Sequence, residues 1–371
     1  MSFRSSSVTG RITWNDDMLI EILLWLPTKS LTRFKLVSKH WLSLISASQF
    51  SHLHTLRHLK LQPSLILHMR ASQFFYFHPL VDGAKLIPYH FTIPNPKILS
   101  SCNGLLLLQS DYPQKDYYVY NPTTNQSKKF SLTNNDHKYT IVLGLNLAFD
   151  PSKSPHYKIV CVRGAERSPS SALQYCQIKV YDSNTQSWKL CLEPFIAYIT
   201  TQFSNGVHWN NAIHWENHPF HHLYFDLDKN VIQRLPYVQT SCPARGEGTA
   251  CHFHLQESNG HLHHLMIMSE LGDKSIAVLE LTADYPQWSL KYHDRLGWFQ
   301  GMFRILNFTS GDSEETSTLV FRVPGKITDY KFLDKSFKQL VDLTNQTFYQ
   351  EDALQFDSRD VHQFGESLAP V

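Results

Sequence analysis

Residues 16–45 read DDMLIEILLWLPTKSLTRFKLVSKHWLSLI. Met18, Leu19, Ile22, Leu23 and Leu26 recur at helical spacing, and Asp16 and Asp17 stand where a helix N-terminus favours negative charge. Pro27 cannot continue that helix and ends it. Thr28 or Ser30 can cap a second helix, with Leu31, Phe34 and Val37 on one side. Ser38 can cap a third, with Trp41, Leu44 and Ile45 on one face. Beyond them, 46–63 keeps Phe50, Leu53 and Leu56 at i, i+3 and i+6, which predicts a linker helix closed by Pro63. Residues 1–12 are Ser-rich and polar and read as a disordered tail.

Three helices of about ten residues do not cover this much apolar surface among themselves, and a chain of about 40 residues seldom folds alone without a metal, disulfides or a partner. No cysteine precedes Cys102. The leftover face therefore packs either on the rest of this chain or against another protein. Lys29, Arg33, Lys35 and Lys39 make a basic stripe, either a solvated face or a means of steering toward an acidic partner. Residues 1–60 hold 8 Lys/Arg against 3 Asp/Glu, a net +5, within a chain of net +2. That excess is too small and too scattered to argue for nucleic acid.

The same residues carry a resemblance. LIEILLWLPTKSLTRFKLVSKHW resembles the F-box of plant-type F-box proteins, whose pattern runs roughly LPxDLLxEILxRLPxKSLxRFRxVSKxWxxLI. The match takes in Leu19, Glu21, Ile22, Leu23, Leu26, Pro27, Lys29, Ser30, Leu31, Arg33, Phe34, Val37, Ser38, Lys39, Trp41, Leu44 and Ile45. Trp14-Asn15 stands where the family opens with Leu-Pro; Trp14 can supply the apolar contact and Asn15 a cap. The resemblance implies that residues 13–45 bind the Skp-type adaptor of a cullin–RING ubiquitin ligase. The adaptor-binding residues it implies are Trp14, Leu19, Ile22, Leu23, Leu26, Pro27, Ser30, Leu31, Phe34, Val37 and Trp41.

From residue 64 the grammar changes from helical to alternating, with turn residues every 8–12 positions, the signal of an all-β sandwich, barrel or propeller. Abundant aromatics, 13% of the chain, agree with β-structure. One phrase recurs: a strand ending near an aromatic, a polar turn, a second strand. It begins at 75, 118, 178, 223, 277 and 328, with spacings of 43, 60, 45, 54 and 51. A period near 50 fits propeller blades, each burying a face on its neighbour. Six blades are counted, and a seventh if the final stretch closes the ring with the strand near 65. SCNGLLLLQS (101–110), GLNLAFDPSKSPHYKIVCVR (144–163) and FSNGVHWNNAIHWE (203–216) resemble the F-box-associated, kelch-like domain of the same plant family, with its SCNGLLCL, GFGYDPxxxDYKVV and xxNGxLHWL. The expected fold class is α+β multi-domain. It comprises a three-helix F-box at 13–45, a linker helix at 46–63, an all-β propeller at 64–360 and a C-terminal tail at 361–371.

Few constellations point to chemistry. Cys102, Cys161, Cys176, Cys191, Cys242 and Cys251 form no CxxC pair and no zinc-finger spacing, so they read as reduced thiols of a cytoplasmic or nuclear protein. MSFRSSSVTG has no apolar core for a signal peptide, and no run approaches the ~18 apolar residues a membrane span needs. Asn125, Asn307 and Asn345 fit N-x-S/T by chance in such a chain. In CHFHLQESNGHLHHLMIM (251–268) a turn at Asn259-Gly260 places His252, His254, His261 and His263 on one face, either a metal site or, more simply, a solvent-facing side. HPFHH (218–222) reads as a loop. Asp226 and Asp228 serve turn geometry rather than acid–base work. Cys161 or Cys191 with a distant histidine is an uninformative pairing, and no GxSxG, GxGxxG, GxxxxGK[ST] or HExxH occurs. Trp209, Trp215, Tyr237 and Trp298 are candidates for a partner-binding rim or for core.

The resulting expectation is a non-catalytic substrate receptor of an SCF-type (Skp–cullin–F-box) ligase, without cofactor or metal. It would bind the adaptor, and through it cullin and RING protein, and an unidentified target protein, but neither nucleic acid nor membrane. Rival readings are an oxidase or glycosidase on a propeller scaffold, or a scaffold acting outside degradation. The connections expected to choose the target are 164–175 and 238–250.

Overall fold

The computed structural model describes residues 16–58, 64–69, 74–80, 84–111, 113–132, 138–166, 171–191, 193–217, 221–235, 250–270, 273–282, 285–296, 304–311, 316–323, 325–342 and 360–371. Four helices come first: α1 (Asp16–Leu23), α2 (Thr28–Phe34), α3 (Lys39–Ser46) and α4 (Ser48–His58). Ser38 caps α3 as its position suggests, its Oγ accepting the Trp41 amide at 3.1 Å. Neither Thr28 nor Ser30 caps α2. Pro27 occupies that cap with no side-chain bond, and Thr28 lies buried in the first turn. The linker helix spans 48–58, and 59–63 fall outside the described residues.

The helices make their own small core. Leu19, Leu23, Leu24, Leu31, Ile45 and Phe50 pack together, with Leu26, Phe34, Trp41 and Leu44 half-buried around them. Phe34 and Trp41 meet edge to face at 5.4 Å. The C-terminal carbonyls of a helix lack partners within it. Here α4 answers for the chain leaving α1: His54 Nε2 donates to the Leu26 carbonyl at 2.9 Å and His58 Nε2 to the Leu24 carbonyl at 3.0 Å.

The remainder is a six-bladed propeller of up-and-down antiparallel sheets. Their inner strands are Val361–Phe364, Pro96–Cys102, Ile141–Ala148, Val207–Trp209, Ala250–Ser258 and Arg304–Thr309, for blades 1 to 6. Each inner strand touches the next, and the sixth touches the first, so the ring is closed. All six recurring phrases fall on the third and fourth strands of the six blades. In four of them an Asx turn makes the hairpin: Asn121, Asp182, Asp226 and Asp334 each accept the amide two residues on through Oδ1, at 2.8–3.0 Å. Asn125, Gln186, Asn230 and Lys335 take the left-handed turn position. The blade 4 and blade 5 inner hairpins turn at Asn210-Asn211 and Asn259-Gly260, all four residues with positive φ, as type I′ geometry requires.

Polar side chains staple the inner strands to one another. Cys102 and Asn103 donate to the Phe149 carbonyl, Asn146 to the Phe203 carbonyl, and Trp209 Nε1 to the Gly260 carbonyl. Gln256 donates to Asn307 Oδ1 and the Phe308 carbonyl and accepts the Phe308 amide; Ser101 donates to the Gln363 carbonyl. Asn307 is thereby buried, unlike a glycosylation acceptor.

One boundary differs from expectation. Residues 361–364 are not a tail but the inner strand of blade 1, pairing Leu65 with Gln363 and Leu67 with Val361. The final stretch does close the ring on the strand near 65, yet as part of the first blade, so the count stays at six. Closing the ring this way leaves no free inner edge. Residues 365–371 then run between propeller and helices. Leu368 enters the helical core and Ala369 the core of blades 2 and 3. Asn121 Nδ2 donates to the Ser367 and Ala369 carbonyls at 3.0 and 2.8 Å.

The hairpins joining first to second and third to fourth strands gather at one face of the ring, together with the helices. This near face carries Lys29–Glu366 at 3.1 Å and Lys29 over the Phe77 ring. The basic stripe is therefore split, because Lys29 is spent on docking the helices. Connections between second and third strands, and between blades, emerge at the opposite, far face.

Candidate functional site

On the helical module the structure separates side chains that build it from those it presents. Leu19, Leu23 and Leu31 point inward and are buried. Leu26, Ser30, Phe34 and Trp41 are half-buried, Pro27 is exposed, and Ile22 and Val37 are bare. Trp14 lies outside the described residues. Four exposed apolar residues join them that sequence reasoning did not single out as partner contacts: Met18, Trp25, Leu36 and Leu42. Met18, Ile22 and Trp25 follow one another at i, i+4 and i+7, a signal present in the sequence. Leu36 sits in the turn after α2, where periodicity carries no information; it is 88% exposed and its neighbour Val37 61%. Arg57 steadies the far end of the α1 strip, its guanidinium 4.2 Å above Trp25 and 3.3 Å from Glu21. The helical core thus draws in one residue from the C-terminal segment, Leu368, and still leaves an apolar shelf.

The propeller encloses a central channel of about 1850 Å³. At its near mouth Cys102 Sγ lies 3.5 Å from His208 Nδ1. Burial pushes that thiol up to about 12 and the imidazole down to about 4. The sulfur keeps its proton, and the pair is not an activated nucleophile. Burial also raises Glu216, on the channel wall, to about 7.

The histidine-rich hairpin has the expected register, Ser258 opposite His261 and Glu257 opposite Leu262. His254, His261 and His263 share one strand face, but that face is not an open solvent side: His254 is half-buried, and His261, at the hairpin tip, keeps 40% of its side chain exposed. His263 is fully buried, its ring 4.8 Å from Phe308 of blade 6 and its Nε2 3.1 Å from Glu280. The side chain of His252 is outside the described residues. Period-2 alternation tells which residues share a face; it does not tell that a blade has a neighbour on both sides. Among the described residues no three His, Cys, Asp or Glu side chains converge as metal ligands. His221 and His222 open a strand rather than lie in a loop. Asp226 Oδ1 takes the Asp228 and Lys229 amides, the turn role expected of it. Trp209 and Trp215 are buried between blades, while Tyr237 and Trp298 fall outside the described residues. No described helix is long and apolar enough to cross a membrane.

A short helical module with a bare apolar shelf, leading into a closed six-bladed ring, defines the class: an F-box protein with a propeller. The F-box domain model matches residues 14–53, and the F-box associated beta propeller domain model matches 85–254. The chain belongs to the F-box protein family. It is 31% identical over 412 residues to the F-box protein At5g07610 of Arabidopsis thaliana, covering 100% of this chain and 95% of that one. The F-box/LRR-repeat protein At2g43260 of Arabidopsis thaliana is 26% identical over 251 residues, 60% of this chain and 55% of that one. The F-box/kelch-repeat protein At3g23880 of the same plant is 26% identical over 216 residues, 52% of each.

Proposed function

We propose that this chain is the substrate-recognition subunit of an SCF-type ubiquitin ligase. Its helical module seats the Skp-type adaptor, and through it cullin and RING protein, while the far face of the propeller holds a target protein. The reading rests on one observation above all. A module whose core is already filled, with Leu368 lent by the C-terminal segment, leaves Met18, Ile22, Trp25, Leu36, Val37 and Leu42 bare, and such exposure on a small module marks an interface. Ile22, Val37 and Pro27, with the half-buried Leu26, Ser30, Phe34 and Trp41, make the contact; Leu19, Leu23 and Leu31 hold it in shape. The chain contributes proximity, holding target and ubiquitin-loaded enzyme at high effective concentration. Its buried thiols suit the reducing cytoplasm or nucleus. The test is capture of purified adaptor by the full chain carrying Ile22→Glu and Val37→Glu together. Capture falls at least tenfold while the melting temperature stays within a few degrees of the parent; undiminished capture refutes the assignment.

A further inference from the structure

Blade 3 differs from the other five at its outer edge. Its third strand, Leu173–Asp182, is 10 residues long, and two successive segments cover its outer side: Ser187–Leu190 on one half and Phe195–Tyr198 on the other. The second segment reaches the far face, where Ile199 meets Ala172 just before the third strand. Leu173 stands opposite Tyr198 and Tyr175 opposite Ile196. Directly opposite residues share a sheet face, so these four side chains form one patch. All four are between 44% and 58% exposed. Farther down the same sheet face, Cys161 and Tyr181 pack on blade 2; toward the far face, the patch is left uncovered by the described part of that blade.

The backbone beside the patch is open as well. The Ile199 amide donates to the Ala172 carbonyl at 3.1 Å, so odd-numbered residues of this segment turn toward the third strand and even-numbered ones away from it. Among the described residues no strand pairs with that outward side. The Tyr198 carbonyl is taken by the Thr201 amide. The Ile196 N–H and C=O and the Tyr198 N–H are left aimed outward.

Exposed edges invite pairing with another chain, and proteins normally blunt them with charge or proline. The other outer strands follow that rule. Pro88 stands in blade 1, Lys128 and Lys129 in blade 2, Arg234 in blade 4, Lys291 and Arg295 in blade 5, and Lys338 in blade 6. In blade 3 itself Lys189 guards the lower half. Phe195-Ile196-Ala197-Tyr198 carries neither charge nor proline.

We propose that this edge is a strand-addition site, taking an extended, uncharged segment of the target protein, with aliphatic or aromatic side chains at alternate positions. The open amides and carbonyl hold its backbone, and Leu173, Tyr175, Ile196 and Tyr198 take its apolar side chains. A helix or a charged loop satisfies neither the edge nor the uncharged patch. This inference rests on the receptor reading above and locates the target on the far face.

The probes are dye-labelled eight-residue peptides alternating Val, Ile, Phe or Tyr with Ser or Thr, titrated with the full chain by fluorescence anisotropy. Saturable binding is expected for members of the set. It weakens at least tenfold when alternate backbone nitrogens of the peptide are methylated, and at least tenfold in Ile196→Pro, which removes an outward amide while leaving the bonds to the third strand. Should Ile196→Pro fold poorly, Ile196→Lys supplies the same blockade by charge. Equal binding by methylated peptides, equal binding by the variants, or no binding by any member overturns the proposal. Adaptor capture by the same preparations tells the two readings apart: retained capture with no peptide binding sinks the edge alone.

Discussion

Leu368→Ala tests how the helices are held to the ring. The side chain is almost fully buried in the helical core, although it comes from the last four residues of the chain. Removing a buried leucine costs about 2–5 kcal/mol, from lost transfer energy and from the cavity left behind. About 3 kcal/mol is reasonable here, because half-buried neighbours such as Leu26 and Leu44 are free to relax into part of the space. A module of about 43 residues holds about 2–6 kcal/mol in total, at 0.05–0.15 kcal/mol per residue. The substitution therefore removes a large share of what keeps α1 to α4 folded, and little of what closes the ring. Hydrogen exchange read by mass spectrometry separates the two. Protection within 16–58 falls about 100-fold, since each 1.4 kcal/mol is tenfold, while the inner strands of blades 2 to 5 exchange as in the parent. Unchanged protection in the helices, or an equal loss across both parts, refutes the idea that the C-terminal segment is the clasp.

Two further outcomes follow from the ring. Gln256→Leu strands the Phe308 amide and carbonyl and breaks the tie between blades 5 and 6; the urea midpoint falls by the equivalent of about 2–5 kcal/mol with unchanged slope. Buried neutral histidines set an acid limit. Burial lowers His214 to about 3 and His263 to about 4, from an ordinary value of 6.5. The unfolded chain then binds protons that the folded chain refuses. Stability is full above pH 6.5 and falls toward pH 4 by about 1.4 kcal/mol per unit for each such group. Urea titrations between pH 7 and 4.5 check the slope, and a midpoint flat across that window contradicts it.

The helices and hairpins were legible because their signals are local. Helical spacing, Pro27 and Ser38 each act within one turn, and Asx turns announce themselves within five residues. What escaped reading depends on partners distant in the chain. Val361–Phe364 is four residues long with no turn signal of its own, and becomes a strand because Ser64–Met69 offers it an edge. His263 reads as polar surface until blade 6 is placed against it. Lys29 belongs to a basic stripe until Glu366 arrives from the other end of the chain. On the shelf, the resemblance implied Leu19, Leu23 and Leu31 beside Ile22 without telling inward from outward, because helices of about two turns with apolar residues on most sides do not declare which of them their neighbours will claim.

Because the innermost strand of blade 1 is made from residues 361–364, this protein is born open. Synthesis runs from the amino end, so five complete blades and three strands of another emerge before the piece that shuts the circle. Until then the waiting edge of Ser64–Met69 and the vacancy meant for Leu368 face whatever holds the nascent chain. Without residues 361–364 five blades would keep all their strands and the first would lack its innermost one, leaving the circle unshut.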